Sequence, residues 1–379
     1  MKVLIAPDKF KGTLTATQVC DYIESGLLQT SSRLMIRKIP LADGGEGTLD
    51  VFLENTGGIK ILKEVHDPLM RAHKAYYGLS GDGKIAFVEL AQASGLVLLT
   101  KQERNPLRTS TLGTGELFVH AIESGVKKII VGIGGSATND AATGALHALG
   151  FRFLDGSGRE VTPNGENLRL IRKVDSTLVH PSLESVEFIA MCDVTNPLYG
   201  ELGAAYVYAP QKGASDKEVA VLDQGLRNFA EIARHYSGLD LQLVKGAGAG
   251  GGFAGGMKSF VNAQLMPGTE VIFQVTGLEE AVQWADLVIT GEGKLDRQSL
   301  HGKLVGGVGE LAMKFDKPML AVCGVSELSR SDSDRLGITE VFSLVDNVGA
   351  QEAMQSAGAS LMKIAGNHIG TKWISTLPD

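Results

Sequence analysis

The sequence predicts an α/β protein of two domains: a doubly wound, Rossmann-like parallel-sheet domain with a second, mixed-sheet α/β domain inserted in it. Three observations predict this. At both chain ends short apolar runs alternate with polar loops and amphipathic segments of helical spacing, the pattern of parallel α/β units. In the middle that alternation gives way to strand-like runs punctuated by turn residues. At 379 residues, the chain is also longer than one core usually supports. Residues 1–60 and 284–379 are therefore expected to form one discontinuous domain and 61–283 the insert, with the active site in the cleft between them.

At the N-terminus KVLIA reads as a strand that stops at Pro7. Thr15 and Gln18 then stand in capping-box spacing before a helix whose apolar face carries Val19, Ile23 and Leu27. Leu34 and Ile36 alternate with Arg33, Met35 and Arg37 in a second strand closed by Pro40, and Thr48 can cap the next helix. In the middle KILKEVHDPL, HKAYYGLSGDGKIAFVELAQASGL and ESVEFIAMCDV read as strands of a mixed sheet, with SGDG as a hairpin turn. From Trp284 onward ADLVITGEG is a strand, LVGGVGELAMKF a helix, PMLAVCGV and EVFSLVD strands, and a last helix carries Met354, Leu361 and Ile364.

Composition narrows the function. With 44% hydrophobic and 21% charged residues and a net charge of -7, the chain is an ordinary globular one, and it lacks the basic stripe of a nucleic-acid binder. Cys20, Cys192 and Cys323 are far apart and odd in number, so neither a disulfide framework nor a C-x-x-C site is indicated, and His and Cys show no zinc-ligand spacing. No segment has a signal-peptide core or the roughly 18 apolar residues of a membrane helix. A soluble, unprocessed cytoplasmic protein is expected, with monomer and homodimer both open. Glycine is the outlier, at 48 residues, and its clustering suggests backbone-lined binding loops.

Three polar loops, APDKFKGT, LADGGEGT and TGEGKLDRQSLHGK, each follow a strand of the discontinuous domain, where open α/β sheets bind ligands. They mix the carboxylates Asp8, Asp43, Glu46, Glu292 and Asp296 with Lys9, Lys11, Lys294 and Lys303. That mixture suits phosphoryl transfer, in which ammonium groups and a carboxylate-held Mg²⁺ neutralise phosphate charge. A Walker loop is excluded, because the Gly-Lys pairs beginning at Gly83, Gly293 and Gly302 are followed by Ile85, Leu295 and Leu304 rather than Ser or Thr. Protein-kinase H-R-D and D-F-G signatures are missing as well.

GIGGSATNDAATGALHALG, residues 132–150, admits three readings, one of them a tight strand-to-helix turn with no ligand, which would need only Gly and one cap residue. Gly132, Gly134 and Ala137 with Asp155 fit a permissive dinucleotide fingerprint. Ser136, Thr138, Asn139 and Asp140 instead put four polar groups at an expected helix start, where they can grip a phosphate or another small anion. GAGAGGGFAGG at 246–256 is either a flexible linker or a backbone cradle, and Phe253 argues that it packs. In MCDVTNPLYG, Asp193 follows a buried strand as either a turn residue or a catalytic acid.

Taken together, APDKFKGTLTA, PLADGGEGT, TSTLGTGEL, GIGGSATNDAATGALHALG, CDVTNPLYG, PQKGA and TGEGKLDRQSLHGK resemble the bacterial type I glycerate kinase family, in order from residue 1 to about 370. One departure is Leu112, where an aromatic residue is expected. The resemblance implies a two-domain α/β enzyme that uses ATP to phosphorylate D-glycerate at the 2-hydroxyl. The residue roles come from chemistry. Asp193 or Asp8 accepts the hydroxyl proton, Lys9 and Lys11 stabilise the transferring phosphoryl group, and Asp43, Glu46 or Asp296 holds Mg²⁺. Arg71 or Arg297 clamps the substrate carboxylate, with Ser136, Asn139 and Asp140 beside it. Gly134, Gly135, Thr138, Gly248, Gly250, Gly251, Lys294 and Lys303 are expected to hold the ATP phosphates. Two other classes compete: an NAD-dependent dehydrogenase of a small hydroxy acid, and a non-catalytic organic-acid-binding protein.

Overall fold

The first apolar run forms a strand whose last three side chains are buried, as a parallel strand covered on both faces requires. The structure, a computed structural model, describes residues 1–42, 47–300 and 304–374, the side chains of Gln298 and Leu300 aside. Along the chain the strands are β1 (Lys2–Ile5), β2 (Met35–Lys38), β3 (Ile59–His66), β4 (Ala72–Leu79), β5 (Ile85–Glu89), β6 (Lys128–Gly132), β7 (Arg152–Leu154), β8 (Lys173–Asp175), β9 (Glu187–Met191), β10 (Gln264–Met266), β11 (Leu287–Leu295), β12 (Met319–Ser326) and β13 (Ile338–Ser343). The chain divides into two compact units, Met1–Asn55 with Thr269–Asp379, and Thr56–Gly268.

In the first unit five parallel strands lie in the order β13-β12-β11-β1-β2, with Val3 level with both Leu287 and Ile36. The helix Ala16–Thr30 starts at the expected capping box of Thr15 and Gln18. Val19, Ile23 and Leu27 on its inner face pack with Val3, Ile289 and Leu361 in one buried cluster. Each such side chain contributes about 1.5–3 kcal/mol by leaving water.

Two expectations fail here. The last helix is broken into Leu344–Val348, Ala350–Gln355 and Ala357–Ile364, with a π-helical turn over Ala365–Ile374. Gly349, at φ 83, makes the first break, and Met354 is left 74% exposed rather than in the core. β11 also runs on to Leu295, so Glu292 and Lys294 belong to a strand, opposite Cys323 and Val325 of β12, and not to a loop.

The second unit holds a six-stranded mixed sheet, β10-β9-β6-β5-β4-β3, in which β3, β4 and β5 are antiparallel and β5, β6, β9 and β10 parallel. The expected hairpin joins β4 to β5: Ser80 Oγ donates to Asp82 at 2.7 Å, and Gly83 takes φ 69. β7 and β8 form a separate two-stranded sheet. Residues 246–252 are no flexible linker: their alanines are buried, and the segment turns directly into the helix Phe253–Val261.

Candidate active site

In the first unit the direction of the crossovers changes at one place. The connection from β1 leads to β2 on one side and that from β11 to β12 on the other, so they part at the carboxyl ends of β1 and β11. Diverging loops leave a crevice there, the usual ligand site of an open parallel sheet. A cavity of about 470 Å³ occupies it, lined by Asp8, Lys9, Lys11, Glu292, Lys294 and Asp296.

Backbone pairing carries the two loops into this site. Ala6 N–H donates to Ile289 O and Asp8 N–H to Gly291 O, each at 2.8 Å, past the end of β1. A Cβ on Gly293 would stand only 3.2 Å from the Lys11 backbone nitrogen, so glycine permits that approach. Asp8 is buried, its Oδ1 accepting the Lys9 N–H at 2.7 Å. Glu292 accepts from Ser299 Oγ at 2.6 Å. Lys294 pairs with Glu327 at 2.9 Å and Asp296 at 3.6 Å, and the Glu327 carboxylate first, then Asp296, holds its ammonium above the ordinary lysine value. Lys11 is exposed and has no hydrogen-bond or ion-pair partner among the described residues. A second space of about 360 Å³ flanks the same loop, adding Leu14, Ala16, Leu41 and Val51 to Asp8–Lys11. Arg297 is exposed on the short helix after β11. Asp43, Glu46 and Lys303 lie outside the described residues.

In the second unit Glu89, Gly132 and Met191 are level at the carboxyl ends of β5, β6 and β9. Beyond β6, Gly134 and Gly135 are exposed, and their N–H groups have no partner among the described residues. Ser136 follows, its hydroxyl accepting from Lys212 Nζ at 2.7 Å. Beyond β9, Asp193 is exposed, with Oδ1 accepting the Gly268 N–H at 2.9 Å. Hence two exposed backbone N–H donors and one exposed carboxylate lie beyond the ends of neighbouring strands.

The rest of the 132–144 loop differs from expectation. Its helix begins only at Thr143, so Ser136, Thr138 and Asn139 do not stand at a helix start. Asn139 and Asp140 have no solvent exposure and cannot meet a substrate as they stand. Asp140 is a brace instead, its Oδ2 accepting from Thr111 N–H and Oγ1, both at 2.8 Å, and from Gly144 N–H at 3.2 Å. Burial pushes its carboxyl up against those hydrogen bonds. Thr138 Oγ1, both Asn139 amide atoms and Asp140 Oδ1 are buried without a partner among the described residues.

Gly248 and Gly251 are not a phosphate cradle either. A Cβ on them would stand 2.3 Å from Pro197 O and 2.1 Å from Thr138 O, so backbone fills the space a ligand would need. Gly250, at φ 65, would have its Cβ 3.0 Å from Phe253 Cβ. Arg71 is already engaged, Nε to Asp67 and Nη1 to Glu103, both at 2.6 Å. The dinucleotide fingerprint fails on topology. β7 pairs with β8 rather than beside β6, and Asp155 spends its carboxylate on the Ser157 and Arg159 turn.

Sequence reasoning assigned no role to Lys212, although PQKGA was among the motifs. Its Nζ donates to Thr138 O as well as to Ser136, at 2.7 Å, and burial lowers its pKa from 10.5 to about 7, with Asp140 opposing. A lysine between Gln and Gly in a turn gives no hint of burial.

Comparison with known proteins agrees with the motifs. The glycerate kinase family model matches residues 3–373. A glycerate kinase of Halalkalibacterium halodurans is 42% identical over 367 residues, 97% of each chain, and a glycerate 2-kinase of Escherichia coli K12 is 39% identical over 98% of each. A crystal structure from Salmonella typhimurium LT2 that carries the name glycerate kinase 2 superposes with a TM-score of 0.89 at 38% identity, covering 98% of each chain.

Proposed function

The chain belongs to the glycerate kinase family, and from that premise we propose that it transfers the γ-phosphoryl group of ATP to the 2-hydroxyl of D-glycerate, giving 2-phosphoglycerate and ADP. We place it in the type I group of that family and in the cytoplasm; no helix of the described residues is long and apolar enough to cross a membrane. The discontinuous parallel-sheet unit and the inserted mixed-sheet unit are read as its two domains. One observation carries the reading: lysines and carboxylates share the crevice where the strand order of the first unit reverses. Hydride transfer has little use for that charge.

In this reading Lys9 and Lys11 meet the transferring phosphoryl group, where an ammonium offsets charge that builds in the transition state. Asp193, with one oxygen open, or Asp8, held toward the crevice by its backbone bonds, accepts the hydroxyl proton as the new O–P bond forms. Ser136 and the Gly134 and Gly135 N–H groups receive an anionic oxygen, and exposed Arg297 supplies a carboxylate clamp more readily than Arg71, which two carboxylates hold.

The donor set fits Mg²⁺. Among the described residues no three His, Cys, Asp or Glu side chains gather to hold a metal alone, whereas Asp8, Glu292 and Asp296 line one cavity. Mg²⁺ takes one or two carboxylates plus phosphate oxygens and water. Asp296, Asp43 or Glu46 would hold it, and the ion would neutralise the phosphates.

A coupled assay tests the reading: Mg²⁺-dependent ADP release that requires D-glycerate is expected, abolished by EDTA and restored by Mg²⁺. NADH formation from glycerate and NAD⁺ without ADP release would replace the kinase by a dehydrogenase, and glycerate binding without either product by a binding protein. Phosphorus NMR of the fresh product separates the isomers, and a dominant 3-phosphoglycerate signal would refute transfer to the 2-hydroxyl.

A further inference from the structure

Lys212 is 3% exposed, an expensive place for an ammonium that has no ion pair among the described residues. Its two hydrogen bonds have a directional consequence. An ammonium can only donate, so the Ser136 oxygen uses a lone pair on Lys212, and the hydroxyl hydrogen has to point elsewhere. Next to it lie the exposed Gly134 and Gly135, whose N–H groups have no partner among the described residues, and a Cβ on Gly134 would meet nothing within 4 Å. On the same loop Thr138 Oγ1, the Asn139 amide and Asp140 Oδ1 are buried with no protein partner among the described residues.

We propose that Lys212 is a positioning residue: it sets the Ser136 hydroxyl as an outward donor which, with the Gly134 and Gly135 N–H groups, receives an anionic oxygen of a substrate. The identity of that anion, the carboxylate of glycerate or a phosphate of ATP, rests on the glycerate kinase reading. The hydrogen-bond logic does not.

A neutral amine would undo the arrangement, since it offers a lone pair toward which Ser136 can turn its hydrogen. Burial brings Lys212 down to about 7, against the pull of Asp140 on the facing loop. Arg104, whose backbone packs against Gly213, lies on a neighbouring segment that also carries Lys101, Glu103 and Arg108. The inward turn therefore falls within a workable pH range.

The test is steady-state kinetics of the wild-type chain, Ser136→Ala, Lys212→Met and the double variant, with D-glycerate and ATP varied in turn. Each single change should raise one KM by about tenfold or more, with a smaller effect on kcat, as loss of a hydrogen bond to a charged group does. The double variant should be no worse than the weaker single one, because both remove one device. Which KM moves distinguishes carboxylate from phosphate. In the wild type that KM should climb between pH 6 and 8.5, and in Ser136→Ala it should stay flat. Additive losses, or unchanged KM values in Ser136→Ala, would make Lys212 a mere strut and overturn the proposal. If Lys212→Met does not fold, Ser136→Ala and the wild-type pH profile decide alone. If the wild type forms no ADP from glycerate, the functional reading falls separately. Calorimetric binding of D-glycerate and of inorganic phosphate then carries the same comparison: weaker binding by Ser136→Ala supports the proposal, and equal binding or none by the wild type overturns it.

Discussion

Lys11→Met should disable the chemistry and leave the fold alone. The side chain is exposed at the crevice and has no partner among the described residues, while the turn that carries it is held by the Phe10–Leu14 backbone pair and by Gly12 at φ 81. Methionine keeps an unbranched chain of nearly the same length and removes the charge and the N–H donors. Two unit charges about 4 Å apart at an effective dielectric of about 20 interact by about 4 kcal/mol. Exposure returns part of that to water and salt, which leaves about 3 kcal/mol, roughly a hundredfold in kcat, when the contact forms mainly in the transition state. The assay is the coupled measurement of kcat and both KM values beside thermal unfolding. A fall in kcat with an unchanged melting temperature is expected. A raised KM for ATP with kcat intact would move Lys11 to ground-state binding. Wild-type kinetics would refute the reasoning and pass the role to Lys9 or Lys294.

Three further changes probe the architecture. Gly251→Ala combines φ 75 with a Cβ 2.1 Å from Thr138 O, and should lower stability by about 3 kcal/mol or more in urea unfolding; a shift under about 1 kcal/mol would mean that the 246–252 turn gives way easily. Asp140→Ala strands the Thr111 N–H and Oγ1 and the Gly144 N–H in a site without solvent, and should cost about 3 kcal/mol, read as a lower melting temperature. Lys212 predicts a pH dependence of stability. Its folded value of about 7 lies below 10.5, so in that window the unfolded chain binds more protons and stability rises with pH. The full span is at most about 5 kcal/mol, from 3.5 pH units at about 1.4 kcal/mol each. Unfolding at pH 6 and pH 9 should show the wild type gaining on Lys212→Met; parallel curves would mean that Lys212 keeps its ordinary pKa in the fold.

Local physics made part of this protein legible in the sequence. The strand KVLI, the capping box at Thr15 and Gln18 and the SGDG hairpin each depend on residues within one turn or one strand of each other, where periodicity and cap chemistry act directly. Seven short motifs in order carried the family, because each keeps its residue types within a few positions. The site was legible only as a set of residue types. Whether Asp140 faces a ligand or Thr111, whether Gly251 opens a cradle or admits the Thr138 carbonyl, and whether Lys212 is solvated or buried under Ser136 are set by partners 29, 113 and 76 residues away in sequence. No local pattern encodes such a contact. The tertiary structure alone decides it, since burial and the direction of a hydrogen bond are properties of the packed whole.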